Sequence, residues 1–232
     1  MRNNQTSNSF DKQQADSYDS RWKTLAPFNE SLHLQLALVL SELPEHARIL
    51  CVGAGTGAEL LALAKRYPKW RFLAVDPSQS MLEVCQRKVE ESGFSDRCAF
   101  HAGFVSEIPD TECQFDAATS ILVSHFLVES GERLLYFREI RKRLRLGGLL
   151  ATGDLSEAPR GQQVALMPVW LRMIQHAGAT FEQVQGMLDA YERSVSMLPE
   201  EAMESLLVEA GFERPTLFAQ SLLIRSWFAR AS

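Results

Sequence analysis

"ILCVGAGTGAEL", residues 49–60, carries an apolar run straight into three glycines at every second position, Gly53, Gly55 and Gly57. The run reads as a short buried strand, "ARILCVG" (47–53). The next stretch, "TGAELLALAKRYP" (56–68), has Leu60, Leu61, Leu63 and Ala64 on one face and stops before Pro68, which predicts a helix. Glycines between a strand and a helix let the backbone turn tightly and let a ligand approach it closely. The helix start offers unpaired N–H groups to that ligand. Cys51, inside the run, reads as a small buried hydrophobe.

Outward from this unit the pattern repeats. Strands are predicted at "RFLAVD" (71–76), "RCAFHAG" (97–103), "FDAATSILV" (115–123) and "LLATGDL" (149–155). Helices are predicted at 30–43, 78–94 and 130–148, the last ended by paired glycines. Alternation of this kind argues for a parallel sheet covered on both faces. After residue 157 the rhythm breaks: 158–197 reads as two helices, about 162–177 and 181–196. A further helix is expected at 198–212, and two final strands within 215–231.

The 232 residues carry a net charge of -5, with 46% hydrophobic and 23% charged residues, a soluble globular balance. The acidic total argues against a broad nucleic-acid surface. No apolar run is long enough to span a bilayer. Residues 1–9 are polar, Asn-rich and read as a disordered tail, leaving 10–232 as one expected domain. Cys51, Cys85, Cys98 and Cys113 form no C-x-x-C pair and no zinc-like spacing with His, so no metal site is expected. Scattered cysteines without an export signal suggest the cytoplasm.

In open sheets of this kind ligands bind beyond the carboxyl ends of the strands. The second strand ends in Asp76, whose carboxylate can accept both hydroxyls of a ribose. The loop and Asp76 together read as a site for a nucleoside-containing cofactor. G53-A-G55-T-G57-A58 also satisfies the looser dinucleotide pattern, so a nicotinamide dinucleotide stands as a competing ligand.

Taken jointly, "ILCVGAGTG", "LAVDPSQSML", "FDAATSILVSHFL", "LRLGGLLATGD" and "LLVEAGF" followed by "RSWFA" resemble the class I S-adenosylmethionine-dependent methyltransferases. The resemblance covers about residues 10–156 and 198–231. It implies an α/β, Rossmann-like, doubly wound seven-stranded sheet with one antiparallel C-terminal strand and a helical insert after strand five. It implies adenosylmethionine as cofactor: Gly53, Ala54 and Gly55 passing its methionine part, Asp76 holding the ribose, Pro77 and Met81 bordering the adenine. Ser120 and Ile121 would face the methionine end. "FDKQQADSYD" resembles the family's lid, with Tyr18 closing over the site. Two departures stand out. Relatives usually carry an acid where Cys51 stands, and the loop after strand three reads Gly103-Phe104 where Gly-Asp is common; Phe104 can stack on adenine but supplies no acceptor.

Methyl transfer requires a base only when the acceptor must lose a proton. His125 in "SHFL" and Asp154 at the end of strand five are the candidates, with lining or structural roles as the plainer alternative. Glu129 and Glu157 read as solvated surface acids. In the insert, Met167, Trp170, Met173 and Met187 fall at helical spacing. They suit a packed cap or dimer face, or a substrate lid to which Trp170 contributes. The chain lacks the Asp/Asn-Pro-Pro-aromatic run of nucleic-acid amino methyltransferases after strand four, which leaves a small-molecule acceptor. The insert also resembles that of carboxy-S-adenosylmethionine synthase, a tRNA-modification enzyme; on that reading Arg193 would hold a carboxylate. A degenerate domain that binds only the cofactor or a protein partner is the non-enzymatic alternative.

Overall fold

The structure is a computed structural model and describes residues 23–109, 114–129, 131–158 and 162–232. The expected tail, the expected lid with Tyr18, and Cys113 lie outside the described residues.

Seven strands form one sheet: β1 (Arg48–Val52), β2 (Arg71–Asp76), β3 (Cys98–Ala102), β4 (Phe115–Ile121), β5 (Leu144–Leu155), β6 (Thr216–Ser221) and β7 (Ile224–Arg230). Their order is β3-β2-β1-β4-β5-β7-β6. β1 to β5 pair in parallel, and β7 runs antiparallel to both of its neighbours. This is the expected doubly wound sheet with its single reversed strand. Strand order reverses between β1 and β4, so the crevice at their carboxyl ends is where a ligand is accommodated.

Among the described residues, seven α-helices accompany it: α1 (Ala26–Val39), α2 (Ala58–Arg66), α3 (Gln79–Glu91), α4 (Glu132–Arg143), α5 (Gln163–His176), α6 (Phe181–Ser194) and α7 (Glu200–Glu209). The continuous apolar character of β1 has a direct cause. Ile49 and Cys51 point to the face covered by α1, α2 and α3, while Leu50 and Val52 point to the face covered by α4 and α7. A strand buried on both faces has no polar side to alternate with.

The predicted helix over 130–148 ends at Arg143, and β5 begins at Leu144. Leu144 pairs with Phe115, which draws the backbone into the sheet before the paired glycines are reached. The buried Arg143 secures this corner by donating to the carbonyls of Ile108 (2.8 Å) and Ser106 (3.4 Å).

The insert is helical in two pieces, as expected. Its base is closed by a bridge between Ser156 and Leu198, with Glu157 N donating to Leu198 O at 3.0 Å. Trp170, Ile174 and Val184 form a separate apolar cluster with Leu155, Leu223 and Ile224 at the end of β5 and the start of β7. A Thr180–Gln183 capping box starts α6.

Candidate active site

The glycine turn is built from three different constraints. All three glycines have left-handed backbones, with φ of 69° at Gly53, 53° at Gly55 and 83° at Gly57. A Cβ on Gly53 would lie 2.3 Å from Val123 Cγ2, and one on Gly57 would lie 2.5 Å from Cys85 Sγ. A Cβ on Gly55 would meet nothing within 4 Å. Gly53 and Gly57 are therefore needed for packing, whereas Gly55 forms the open crest that a ligand can approach. Gly53→Ala is expected to destabilise the fold by about 1–3 kcal/mol through overpacking against Val123, read from chemical denaturation midpoints.

The turn is tied to β2. Gly53 N and Ala54 N both donate to Val75 O, at 2.7 and 3.1 Å. Gly55 N donates to Asp76 Oδ2 at 2.9 Å, and Ser78 N donates to Asp76 Oδ1 at 2.8 Å. Burial pushes the Asp76 carboxyl up, and these two N–H donors oppose the shift. Each oxygen keeps a further lone pair for a ligand hydroxyl. Ser78 caps α3 by accepting from Met81 N; Pro77 is exposed and Met81 is buried. Gly103 N donates to Asp76 O at 3.0 Å and so brings the β3 loop against β2. Phe104 is half exposed there, and its N–H is held by Glu107 Oε2 at 2.7 Å.

At the end of β4, Ser120 is buried and shares a 2.7 Å hydrogen bond with the Tyr136 hydroxyl of α4; Ile121 is half-buried. Leu122 comes next with φ 60°, and its N–H is anchored on Gly153 O at 2.6 Å. This reversal swings Val123 over Gly53 and leads into Ser124 and His125.

His125 and Asp154, far apart in the sequence, meet in space. His125 Nδ1 lies 2.9 Å from Asp154 Oδ1, which also accepts from His125 N at 3.0 Å. Ser124 Oγ donates to Asp154 Oδ2 at 2.6 Å. Both partners are buried. A carboxylate can only accept, so Nδ1 carries the hydrogen that faces Asp154, and in the neutral imidazole Nε2 is then the acceptor nitrogen. The charge of Asp154 also reaches the buried Arg133, whose Nη2 donates to Ser196 O at 2.6 Å. Ser196 N in turn donates to His125 O at 2.8 Å, which joins the end of the insert to this loop.

Trp170 is buried inside the insert cluster and donates to the Tyr191 hydroxyl at 3.1 Å, while Arg193 is exposed in the last turn of α6. No hydrogen bond or ion pair among the described residues connects either side chain to the glycine turn.

The sequence reading missed Glu59, Thr119, Ser124, Arg133 and Tyr136. Glu59 is buried in the first turn of α2 and accepts a hydrogen bond from Thr119 Oγ1. Burial drives the Tyr136 hydroxyl upward in pKa, and the charges of Asp154, Glu59 and Asp76 add to it. The carboxylates of Asp76 and Asp154 thus both act on one buried hydroxyl, and Asp76 is hydrogen-bonded to the glycine turn itself. That environment suits a ligand carrying positive charge, and the open crest at Gly55 leaves room for it. The residues fit adenosylmethionine, a sulfonium cation with a ribose.

Residues 49–148 match the family model described as a methyltransferase domain. The matched stretch takes in less than half of the chain and includes the glycine turn, Asp76 and His125.

Among curated proteins, the chain is 24% identical over 216 residues to the ubiquinone/menaquinone biosynthesis C-methyltransferase of Pseudomonas fluorescens, covering 87% of this chain and 79% of that protein. It is 32% identical over 80 residues to the carboxy-S-adenosyl-L-methionine synthase of Campylobacter hominis, covering 34% of each chain. The chain spans 36% of one other curated relative and 19% of another. A crystal structure of a putative O-methyltransferase from Nostoc punctiforme superposes with a TM-score of 0.69 at 18% identity, covering 94% of this chain and 59% of that one.

Proposed function

We propose that this chain transfers a methyl group from adenosylmethionine to a small-molecule acceptor. The observation that carries the reading is the Asp76 carboxylate, fixed by Gly55 N and Ser78 N beside the open crest of the turn. Adenosylmethionine, when bound, supplies an electrophilic methyl group on sulfur. The protein's part is alignment and exclusion of water. Gly53, Ala54 and Gly55 give the backbone against which the methionine part lies. Asp76 accepts the ribose hydroxyls, Pro77 and Met81 border the base, and Phe104 stacks on it. Ser120 and Ile121 face the methionine end. Where the acceptor must lose a proton, His125 Nε2 takes it, with Asp154 orienting the ring.

Asp76→Ala removes the ribose acceptor and releases the Gly55 N–H. It is expected to weaken adenosylmethionine binding about 100-fold, the loss of two charge-assisted hydrogen bonds. Calorimetric titration of wild type and variant measures this, and an unchanged affinity would remove the ribose from Asp76.

The two insert helices expose Val164, Val169 and Phe181, which supports their use as a face between two copies of the chain or as a cover over the acceptor. Free thiols at Cys51, Cys85 and Cys98 support a reducing, cytoplasmic setting. The net charge of -5 supports an acceptor other than nucleic acid. No helix among the described residues is long and apolar enough to cross a membrane.

A further inference from the structure

Glu59 is the buried acid that the proposed reaction does not use. It lies in the first turn of α2, directly after the glycine turn. Thr119 on β4 donates to it, and Cys51 on β1 is the register partner of Thr119. The Thr119–Glu59 bond therefore ties the start of α2 to β4 at the level where β4 pairs with β1, below the glycine turn. The titratable groups near enough to feel Glu59 are Cys51 on β1, Cys85 on α3 and Tyr136 on α4, with Lys88 and Asp76 acting on Cys85. Lys88 spends one hydrogen bond on Thr56 O at 3.2 Å. Among the described residues, no cation contributes to the state of Glu59. A buried carboxylate without a cation is costly, and the same site with a cation docked above it is not.

We propose that Glu59 is a proton-linked partner of the cofactor's positive charge: neutral in the free protein, it releases its proton to solvent when the cation docks on the turn. The inference rests on the adenosylmethionine reading. Burial holds the Glu59 carboxyl up at about 7, with the hydrogen bonds of Thr119 and Cys51 opposing the shift. The group is therefore largely protonated below neutral pH, and a nearby positive charge lowers its pKa. The same shift has a consequence for the free protein. The folded pKa lies above the ordinary value of 4.5, so the folded state binds more protons between the two values. The contribution of this group to stability is thus fully present below the ordinary value and declines as pH rises towards 7.

Calorimetric titration of the full chain with adenosylmethionine, in two buffers of different ionisation enthalpy, counts the protons. At pH 6.5 wild type is expected to release about 0.7 protons more per bound cofactor than Glu59→Gln, and the difference is expected to vanish at pH 8.5. Wild-type affinity is expected to rise about tenfold from pH 6 to pH 8 relative to that of the variant. Adenosylhomocysteine keeps the ammonium and lacks the sulfonium. Release with both ligands supports the proposal with the ammonium as partner; release with adenosylmethionine alone supports it with the sulfonium. Cofactor binding with equal proton counts in wild type and variant overturns it. If the variant is misfolded, the wild-type proton count and its decay with pH decide alone. Absence of adenosylmethionine binding would instead overturn the cofactor reading, and this inference with it.

Discussion

Asp154→Ala is expected to cost about 3–5 kcal/mol of stability, the range found when one partner of a buried charged network is removed. For a chain of this size that lowers Tm by roughly 10 °C. The carboxylate is 1% exposed and serves three donors: Ser124 Oγ, His125 N and His125 Nδ1. Arg133 also responds to its charge. An alanine leaves the three donors buried without this acceptor, and each orphaned group carries a desolvation penalty of about 1–3 kcal/mol. Asp154→Asn separates shape from charge. Its carbonyl oxygen can still serve His125, and its NH2 can donate to Ser124 Oγ, so about half the loss should be recovered. Thermal and urea melts of both variants measure the effect. A cost below about 0.5 kcal/mol for the alanine variant would mean that the network is already solvated.

His125→Gln is expected to lower kcat by about 100- to 10,000-fold for an acceptor that must be deprotonated, with little change in KM or cofactor affinity. Glutamine can still donate to Asp154 through its NH2, so the loop should hold its place; what it lacks is a basic nitrogen. The assay is adenosylhomocysteine formation across a panel of hydroxyl, thiol and amine acceptors. Amines that react in their neutral form should be far less affected, because no base is needed to expose their lone pair. A uniform loss across the panel, with raised KM, would instead make His125 a positioning residue. Its carbonyl bond to Ser196 N, which holds the end of the insert, already gives it a structural share.

The glycine turn and the acid that ends β2 were legible in the sequence, because each is fixed by local rules. A tight turn between a strand and a helix and a buried strand that ends in an acid each leave a mark within a few residues. The first five strands followed from the alternation of strand and helix patterns, the insert from the break in it, and the last two strands from their strand-forming residues. What was not legible depends on which way a side chain faces after folding. Glu59 sits in the first helical turn, where an acid is ordinarily a solvated partner of the helix dipole. Only the pairing of β1 with β4 puts Cys51 and Thr119 beside it and encloses it. Helical spacing gave Trp170, and the resemblance of the insert gave Arg193, as possible substrate contacts without saying which neighbours they meet; the indole donates to Tyr191 and the Arg193 residue is exposed. The end of α4 was overestimated for a related reason. The paired glycines look like a helix stop, but pairing of Leu144 with Phe115 ends the helix earlier.

The central claim is that one adenosylmethionine binds on the glycine turn against Asp76. Native mass spectrometry of the folded chain with added adenosylmethionine tests it most directly. One cofactor bound per chain in wild type, and its loss in Asp76→Ala under the same conditions, is the expected result. A folded wild-type chain that stays empty at millimolar adenosylmethionine would contradict it.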